Sequence, residues 1–394
     1  MPPPPRAPAW SAQPPPPAVP PPPTRRPSGW FADPWASDQW RWWDGSNWTG
    51  HVSGRATATP EREPRLPSFL SPPVVAAAIP SIPLIGFILV VVPLAIALGF
   101  VPLLLVAPVL LWMDRLEPEP WSERVHAFLW GAFVAGLISL IFNTLFAAIT
   151  GSETAAAVIS APFIEELTKA GAIVWAVRRK HVDGVMDGLT YAGWSALGFA
   201  VIEDFSYFWL AEDENLLFET FVGRALFTPF AHPLFTAWTG LAIGLAVRRR
   251  RPLITAWWGL ALAMASHAAW NGALSLAEDE GGAVVTVVVL IGFVVLFVAT
   301  AIGVMVLRRR DRLRLVQLAP LIAQRYQLPL DRVLTLANPR DRRRTRKALP
   351  KAERKALDAE AGAVARLGML FDHDTAPAPA DEARLVSQLA AARS

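Results

Sequence analysis

The hydrophobic pattern of the chain is dominated by one long central region. Residues 74–307 alternate apolar stretches with short polar loops, and about 20 apolar residues suffice for a helix to cross a bilayer. The first stretch, 74–112, has no charged residue, and we divide it into two spans near Pro93. Six further spans are predicted at roughly 126–149, 155–177, 187–210, 226–247, 253–277 and 283–307. The pattern therefore predicts an all-α polytopic membrane protein with about eight transmembrane helices.

The segments outside residues 74–307 are more polar. Residues 1–27 are rich in proline and predict a disordered arm, with no signal peptide because no apolar stretch follows Met1. Residues 28–52 contain six tryptophans with Asp-Pro and Asp-Gly turns between them, which predicts a small Trp-rich β unit. A linker is expected at 53–73. The periodicity of 308–394 predicts a charged, helical cytosolic tail.

The positive charges between the spans predict the orientation. Clusters of Arg and Lys follow the fourth, sixth and eighth spans, at 178–180, 248–251 and 308–310. The loops 151–154, 211–220 and 277–280 contain neither residue. Because short loops rich in Lys and Arg stay in the cytoplasm, both termini are predicted to be cytoplasmic, in a bacterial cell membrane. The intervening loops at 151–154, 211–225 and 277–282 are then expected to face outward.

Composition narrows the possible chemistry. Only 18% of the 394 residues are charged and 53% are hydrophobic, whereas a soluble protein has about 25% charged residues. The sequence contains no cysteine, which excludes disulfides, thiol nucleophiles and Cys-ligated metals. The net charge of +4 gives no reason to expect a nucleic-acid partner. The lipid bilayer is the expected environment.

Ionisable side chains inside predicted spans mark candidate functional positions because they are costly to bury in a membrane. They occur on four successive spans, as Glu165, Glu166 and Lys169, then Glu203 and Asp204, then His232, then His267. At 1.5 Å per residue the depths from the predicted outer ends are about 15 Å for Glu165, about 10 Å for Glu203, about 9 Å for His232 and about 15 Å for His267. These residues are therefore expected to share one cavity.

The local spacings favour a constructed site. Lys169 follows Glu165 by four residues and Glu166 by three, so its ammonium can pair with a carboxylate on the same helix face. Three further pairs lie one helical turn apart, namely Glu203 with Tyr207, His232 with Thr236, and His267 with Asn271. In the two histidine pairs, the polar partner is expected to orient the ring or bind substrate.

Four motifs carry a resemblance to a known family. The segments "APFIEELTKA" at 161–170, "GFAVIEDFSYF" at 198–208, "TPFAHPLFTAWTG" at 228–240 and "SHAAWNG" at 266–272 resemble, in order, the motifs of the PrsW family of intramembrane proteases. The wider group includes the CAAX-prenyl proteases and bacteriocin-processing enzymes. The chain departs from the pattern at Asp204, where Asn is more often expected, and in the prolines on both sides of His232. Separately, the pattern of 28–52 resembles a short tryptophan-rich domain of unknown function of actinobacterial membrane proteins.

The PrsW resemblance implies regulated hydrolysis of a membrane-anchored protein substrate, such as an anti-sigma factor. It implies that Glu165 or Glu166 is the general base, and that His232 and His267 bind the water, a metal or the oxyanion. Glu203 is then a further ligand or a supporting acid. Zinc held by His232, His267 and Glu203 has the composition of a catalytic metal site, but a metal-free glutamate mechanism fits the same residues.

Two other functions fit part of the pattern. A proton-coupled transporter can use Glu, Lys and His as a relay, although transporters often carry matched internal repeats and the polar residues here form one block. A non-catalytic membrane scaffold would bind partners through the Trp-rich unit. The other common protease motifs, His-Glu-x-x-His and Gly-x-Ser-x-Gly, are missing from the sequence.

Overall fold

The computed structural model describes residues 29–32, 39–43, 46–54, 67–91, 93–213, 215–276, 282–371, 382 and 385–390. The arm predicted at 1–27 lies outside these residues. So does most of the linker predicted at 53–73.

The tryptophan-rich segment forms a small antiparallel sheet. Its strands are β1 (Gly29–Ala32), β2 (Gln39–Trp43) and β3 (Trp48–Gly54), in the order β1-β2-β3. Trp43 pairs with Trp48 across β2 and β3, and the two rings meet edge to face with centroids 5.3 Å apart. Such aromatic cross-strand pairs stabilise short sheets. The predicted Trp-rich β unit is confirmed.

The rest of the described chain is helical. The membrane region contains α1 (Pro72–Val91), α2 (Pro93–Gly99), α3 (Val101–Met113), α4 (Trp121–Leu129), α5 (Gly136–Thr150), α6 (Glu153–Ala155), α7 (Ala161–Arg178), α8 (Val185–Asp213), α9 (Leu217–Phe221), α10 (Ala231–Arg248), α11 (Trp257–Leu276) and α12 (Gly282–Tyr326). The tail adds α13 (Leu330–Ala337), α14 (Pro339–Ala348) and α15 (Lys351–Phe371). Short 3₁₀ helices lie at Ser68–Leu70 and Leu253–Ala256, and π-helical turns lie at Trp130–Ala135, Ala156–Ser160 and Val222–Phe227.

Five stretches of the described helices are long and apolar enough to cross a membrane. They are Leu94–Met113, Trp121–Thr150, Val185–Glu212, Leu217–Arg248 and Val287–Tyr326. Helices α7 and α11, the fourth and seventh predicted spans, are not among them because Glu165, Glu166 and Lys169 on α7 and His267 and Asn271 on α11 reduce their apolar character. The multi-pass helical fold is confirmed, and the number of eight spans stays a prediction.

Helix α8 is the centre of the membrane region, and 89% of its apolar stretch is buried. Its neighbours approach closely at glycines. A Cβ atom on Gly188 would lie 2.2 Å from the carbonyl oxygen of Gly240 in α10, and one on Gly198 would lie 1.9 Å from the oxygen of Phe128 in α4. Small residues allow helix backbones to touch in this way. The relative positions of α8 and α10 are therefore fixed by backbone contact.

Helix α12 is peripheral, with only 6% of its apolar stretch buried. It runs for 45 residues without a break into the tail, where α13 and α15 pack around its last turns. Leu315 and Ile322 of α12 share this second core with Val333, Leu336 and Leu367. The predicted helical tail is confirmed, and it has a hydrophobic core of its own.

Candidate active site

The polar side chains predicted to share a cavity do come together, between α7, α8, α10 and α11. Glu165, Glu166, Lys169 and His267 are all buried. Each of these residues lies on a helix that is otherwise mainly apolar. The polar side chains of that helix therefore point to the interior of the bundle. Proximity of the two glutamates and two histidines was the central expectation from the sequence.

Lys169 lies in the middle of the cluster and has no exposed surface. Its Nζ atom donates to Glu166 Oε1 at 2.8 Å, to Glu165 Oε2 at 3.4 Å and to His232 Nδ1 at 3.1 Å. The ammonium also lies 4.1 Å from the centre of the Phe199 ring, a cation–π distance. Lys169 thus joins α7 to α10 and compensates both carboxylates of its own helix.

The two adjacent glutamates differ in their hydrogen bonds. Glu166 accepts from Lys169, from Thr236 Oγ1 at 2.8 Å and from His267 Nδ1 at 3.1 Å. Glu165 has longer contacts, 3.4 Å from Asn143 Nδ2 and 3.9 Å from His267 Nε2. Glu166 therefore uses its oxygens to fix the positions of Lys169, Thr236 and His267. Glu165 retains acceptor capacity.

The hydrogen-bond pattern assigns the neutral histidine tautomers. Lys169 can only donate, so His232 accepts at Nδ1 and its Nε2–H donates to Glu203 Oε2 at 2.7 Å. His267 donates its Nδ1–H to Glu166, which leaves its Nε2 lone pair facing Glu165. A histidine whose second nitrogen is held by a carboxylate is the usual arrangement for a metal ligand.

Arg224 is a site residue that the sequence analysis missed. It belongs to the π-helical turn Val222–Phe227, donates through Nη2 to Glu203 and through Nε to Asp204 Oδ1 at 2.7 Å, and lies 3.7 Å above the Tyr207 ring. Asp204 thus gains a cationic partner. The sequence contained one signal for Arg224. It is a basic residue in the loop 211–225, which was expected to face outward, and the positive-inside rule places most basic residues on the other side.

Two supporting residues have different contacts from those expected. Thr236 donates to Glu166 and not to His232, which precedes it by one turn. Asn271 donates from Nδ2 to the carbonyl oxygen of Ala157 at 2.8 Å and so ties α11 to the turn Ala156–Ser160. Helical spacing places residues on one face but does not decide which neighbouring helix they contact.

A cavity of about 270 Å³ adjoins the cluster. Its polar wall is formed by Glu203, Tyr207, Arg224, His232, His267 and Asn271. Glu165, Glu166 and Lys169 are not among its lining residues, but they contact the two histidines that are. The histidines therefore connect the glutamate–lysine group to the cavity.

The donor set fits a divalent metal ion if the ion takes the place of the Lys169 ammonium at His232 Nδ1, the nitrogen that accepts from Lys169 in this structure. Glu165, His232 and His267 present ligand atoms within 4.8 Å of one another, and the 3.9 Å between Glu165 Oε2 and His267 Nε2 is close to the roughly 3.4 Å between two ligands of one zinc ion. Four carboxylates and two cationic side chains in the cluster leave a formal charge of −2 with neutral histidines. The compact group contains Glu165 in place of the Glu203 expected from the sequence.

Converging carboxylates and histidines inside a helical bundle define a polytopic membrane protein with a buried metal-type centre. Residues 119–300 match the family model described as PrsW family intramembrane metalloprotease, and the membrane domain of this chain is similar to that family. Residues 28–61 match a second model, described as a protein of unknown function (DUF2510). No solved structure matches the chain.

Two curated relatives share the membrane domain. Protease PrsW of Clostridioides difficile (strain 630) is 33% identical over 152 residues, which are 36% of this chain and 63% of the relative. Protease PrsW of Geobacillus kaustophilus (strain HTA426) is 34% identical over 143 residues, which are 35% of this chain and 61% of the relative. The chain thus spans about three fifths of the length of these relatives.

Proposed function

We propose that the protein is an intramembrane protease that hydrolyses peptide bonds of membrane-anchored protein substrates. The observation that carries the proposal is the buried group of Glu165, His232 and His267 beside a cavity of about 270 Å³. The match of residues 119–300 to the PrsW family model supports the same reaction class. Single-span proteins, such as anti-sigma factors, are the substrate class that we expect.

The residues divide into those that face the reaction and those that position them. Glu165, His232 and His267 would hold a divalent metal, with zinc as the first candidate, which would supply Lewis-acid activation of water and of the scissile carbonyl. Glu165 is the carboxylate with capacity to accept a proton from water if no metal takes part. In that case His232 and His267 would stabilise the developing oxyanion.

The other polar residues position this group. Glu166 orients His267 through its Nδ1–H, and Lys169 keeps the buried charge of Glu166 compensated. Glu203 orients His232 through Nε2–H, and Arg224 in turn holds Glu203. Such second contacts fix the direction of ligand lone pairs and commonly change metal affinity or activity by about 10–100-fold.

We further propose that the cavity lies in the outer half of a bacterial cell membrane, with both termini in the cytoplasm. The basic clusters 178–180, 248–251 and 308–310 all lie at one end of the bundle, and they support this orientation by the positive-inside rule. The cavity is lined from the C-terminal half of α8 and the N-terminal end of α10, which is the opposite end. A substrate would then be cut near its outer membrane boundary.

Co-expression with a tagged single-span reporter tests the proposal. We expect processing by the wild type and none by Glu165→Gln, Glu166→Gln or His232→Ala, whereas the exposed Glu153→Gln serves as the matched control and should retain processing. Metal analysis of the purified proteins should show loss of metal in the His232→Ala variant. Equal processing by all variants would contradict the proposal and favour the transporter or the scaffold.

A further inference from the structure

A second group of carboxylates, buried except for the exposed Asp183, lies at the basic end of the bundle, far along α8 from the site described above. It surrounds a cavity of about 50 Å³ where the α3–α4 loop, the α7–α8 loop and the middle of α12 meet. The lining includes Asp114, Glu117, Asp183 and Asp187, with Arg248 and Arg308. None of these residues has a part in the proposed protease chemistry.

Most of these carboxylates are already held in place. Asp114 pairs with Arg124 at 3.1 Å and accepts the backbone N–H of Glu119. Asp187 Oδ2 accepts the backbone N–H groups of Asp183 and Gly184, each at 3.0 Å, which shapes the α7–α8 loop. The position of the group is therefore fixed by the chain's own hydrogen bonds.

Glu117 is the exception within the described part of the chain. Its residue surface is only 9% exposed, its side chain lines the cavity, and it has neither a hydrogen bond nor a cationic nitrogen within 4.0 Å. The carboxylates of Asp183, Glu119 and Asp114 oppose its charge and the guanidinium of Arg366 favours it. Arg248 and Arg308 also line the cavity, but neither forms an ion pair with Glu117 among the described residues. A buried carboxylate without a partner is strongly unfavourable.

The pKa values of this group follow from the same surroundings. Burial, reinforced by the nearby carboxylate of Asp183, raises the pKa of Glu117 well above its usual range. Burial also raises the pKa of Glu119 to about 8 and that of Asp114 to about 7. Clustered like charges are relieved either by protons or by an added cation.

We propose that the cavity binds one hydrated Mg²⁺ ion, with Glu117 and Asp183 supplying carboxylate oxygens and Asp114 and Asp187 holding its water ligands. Carboxylate and water oxygens are the ligands that Mg²⁺ prefers, and Mg²⁺ usually keeps several waters and uses one or two protein carboxylates. A cavity of about 50 Å³ holds a few waters, since each needs about 10–15 Å³. Among the described residues, the carboxylates at this cavity do not form a compact group of three ligands, so water would have to complete the coordination of the ion.

The ion would act at the joint between the membrane helices and the tail. Leu116, next to Glu117, is part of the tail core around Leu315 and Leu367. The carbonyl oxygen of Arg115 accepts from Arg342 Nη2 of α14 at 2.6 Å. An ion that neutralises the charge of Glu117 would therefore stabilise the position of the segment 114–119. Through that segment it would also keep the tail packed against the membrane helices. This inference does not depend on the proteolytic function.

Thermal unfolding of the full chain in nanodiscs of zwitterionic lipid tests the proposal, with MgCl₂ added at constant ionic strength. At saturating Mg²⁺ we expect the Tm of the wild type to rise by about 5 °C. Glu117→Gln and Asp183→Asn should lose most of this rise, and the exposed Glu219→Gln is the matched control that should keep it. An ion bound at the active site would affect all of these proteins equally, so the difference between them isolates the cavity.

Two results would overturn the proposal: a wild-type Tm that does not respond to Mg²⁺, or a rise of equal size in Glu117→Gln. If the variants do not fold, tryptic cleavage of the wild type within α14 provides a second measurement. Mg²⁺ is expected to slow this cleavage several-fold. Cleavage at the same rate with and without Mg²⁺ would also refute the proposed binding of Mg²⁺. Stabilisation by low pH but not by Mg²⁺ would show that protons, and not the ion, neutralise Glu117.

Discussion

Two groups of buried carboxylates lie toward opposite ends of α8, and they differ in how their charge is balanced. At the candidate active site, Glu166 is paired with Lys169, and Glu203 is paired with Arg224. At the junction with the tail, Glu117 faces other carboxylates and has no hydrogen bond within the described residues. In the first group these carboxylates are paired with cations of the chain. In the second group Asp114 is paired with Arg124, whereas Glu117 forms no ion pair among the described residues.

This difference has consequences for the function of each group. Fixed ammonium and guanidinium groups keep carboxylates ionised and in place whatever the solution contains, which suits residues that must orient histidines. A carboxylate such as Glu117, which forms no ion pair among the described residues, responds to pH and to ion concentration. The charge state of Glu166 and Glu203 is therefore expected to be less sensitive to the surrounding solution than that of Glu117.

The largest expected effect follows from changing Glu165 to Gln. The substitution keeps the shape of the side chain but removes its charge and its basicity, so cleavage of a single-span substrate should slow by about 1,000-fold. Because all of its contacts are 3.4 Å or longer, the Tm should change little. A rate within tenfold of the wild type would exclude Glu165 as a reacting group.

Lys169→Met should be the most destabilising change at the site. It removes the ammonium that compensates Glu166 and leaves an unpaired buried charge, which costs about 3–5 kcal/mol. Denaturant unfolding in micelles measures this loss, and Lys347→Met, at an exposed position of α14, is the control. Stability equal to that of the control would mean that Glu166 does not carry a charge.

Arg224→Gln is expected to have an intermediate effect. Glu203 loses its cationic partner but keeps His232, so the cleavage rate or metal affinity should fall by about 10–100-fold. Arg224→Lys retains the charge without the two-pronged contact to Glu203 and Asp204 and should recover part of the loss. Equal activity in Arg224→Lys and Arg224→Gln would show that the charge of Arg224 has no part in positioning Glu203.

The pH dependence of the junction is the smallest effect when it is compared over one pH unit. The pKa of Glu119 is raised from 4.5 to about 8, so the folded state binds a proton that the unfolded chain releases. This stabilisation is complete at low pH and is lost as the pH rises through about 8. Without Mg²⁺, the free energy of unfolding should fall between about pH 5 and pH 8, by at most about 1.4 kcal/mol per pH unit for each proton.

Chemical unfolding at four pH values with and without Mg²⁺ measures this dependence. Mg²⁺ is expected to replace the protons, so the free energy of unfolding should depend less on pH when the ion is present. The same free energy should depend less on pH in Glu119→Gln than in the wild type even without Mg²⁺. Stability that increases with pH would have the opposite sign and would contradict the raised pKa of Glu119.

The sequence predicted which helices supply the site but not how their side chains pair. The spacing of Lys169 from Glu165 and Glu166 was sufficient to predict their contacts because it depends on one helix only. Depth along a span gave the level of His232 and His267, but rotation about the helix axis decides that Glu165 lies in the compact group with both histidines while Glu203 contacts His232 alone. That rotation is set by contacts such as Gly188 on Gly240, which no single-helix pattern contains.

Two other features lay beyond the sequence patterns for different reasons. Arg224 lies in a π-helical turn, and an extra residue per turn changes which positions share a face. The burial of Glu117 depends on the tail folding back against the α3–α4 loop, a contact between segments about 200 residues apart. Neither arrangement follows from hydrophobic periodicity.

The close contact of α8 with α10 has a consequence for genetic screens. Gly240 has no chemistry, yet a methyl group there would lie 2.4 Å from the carbonyl oxygen of Gly188 and would push apart the two helices that carry Glu203 and His232. The displaced histidine lies about 12 Å away along α10. A selection for inactive variants should therefore recover substitutions at Gly188 and Gly240 beside those at Glu165, and a map of inactivating mutations would extend well outside the cavity.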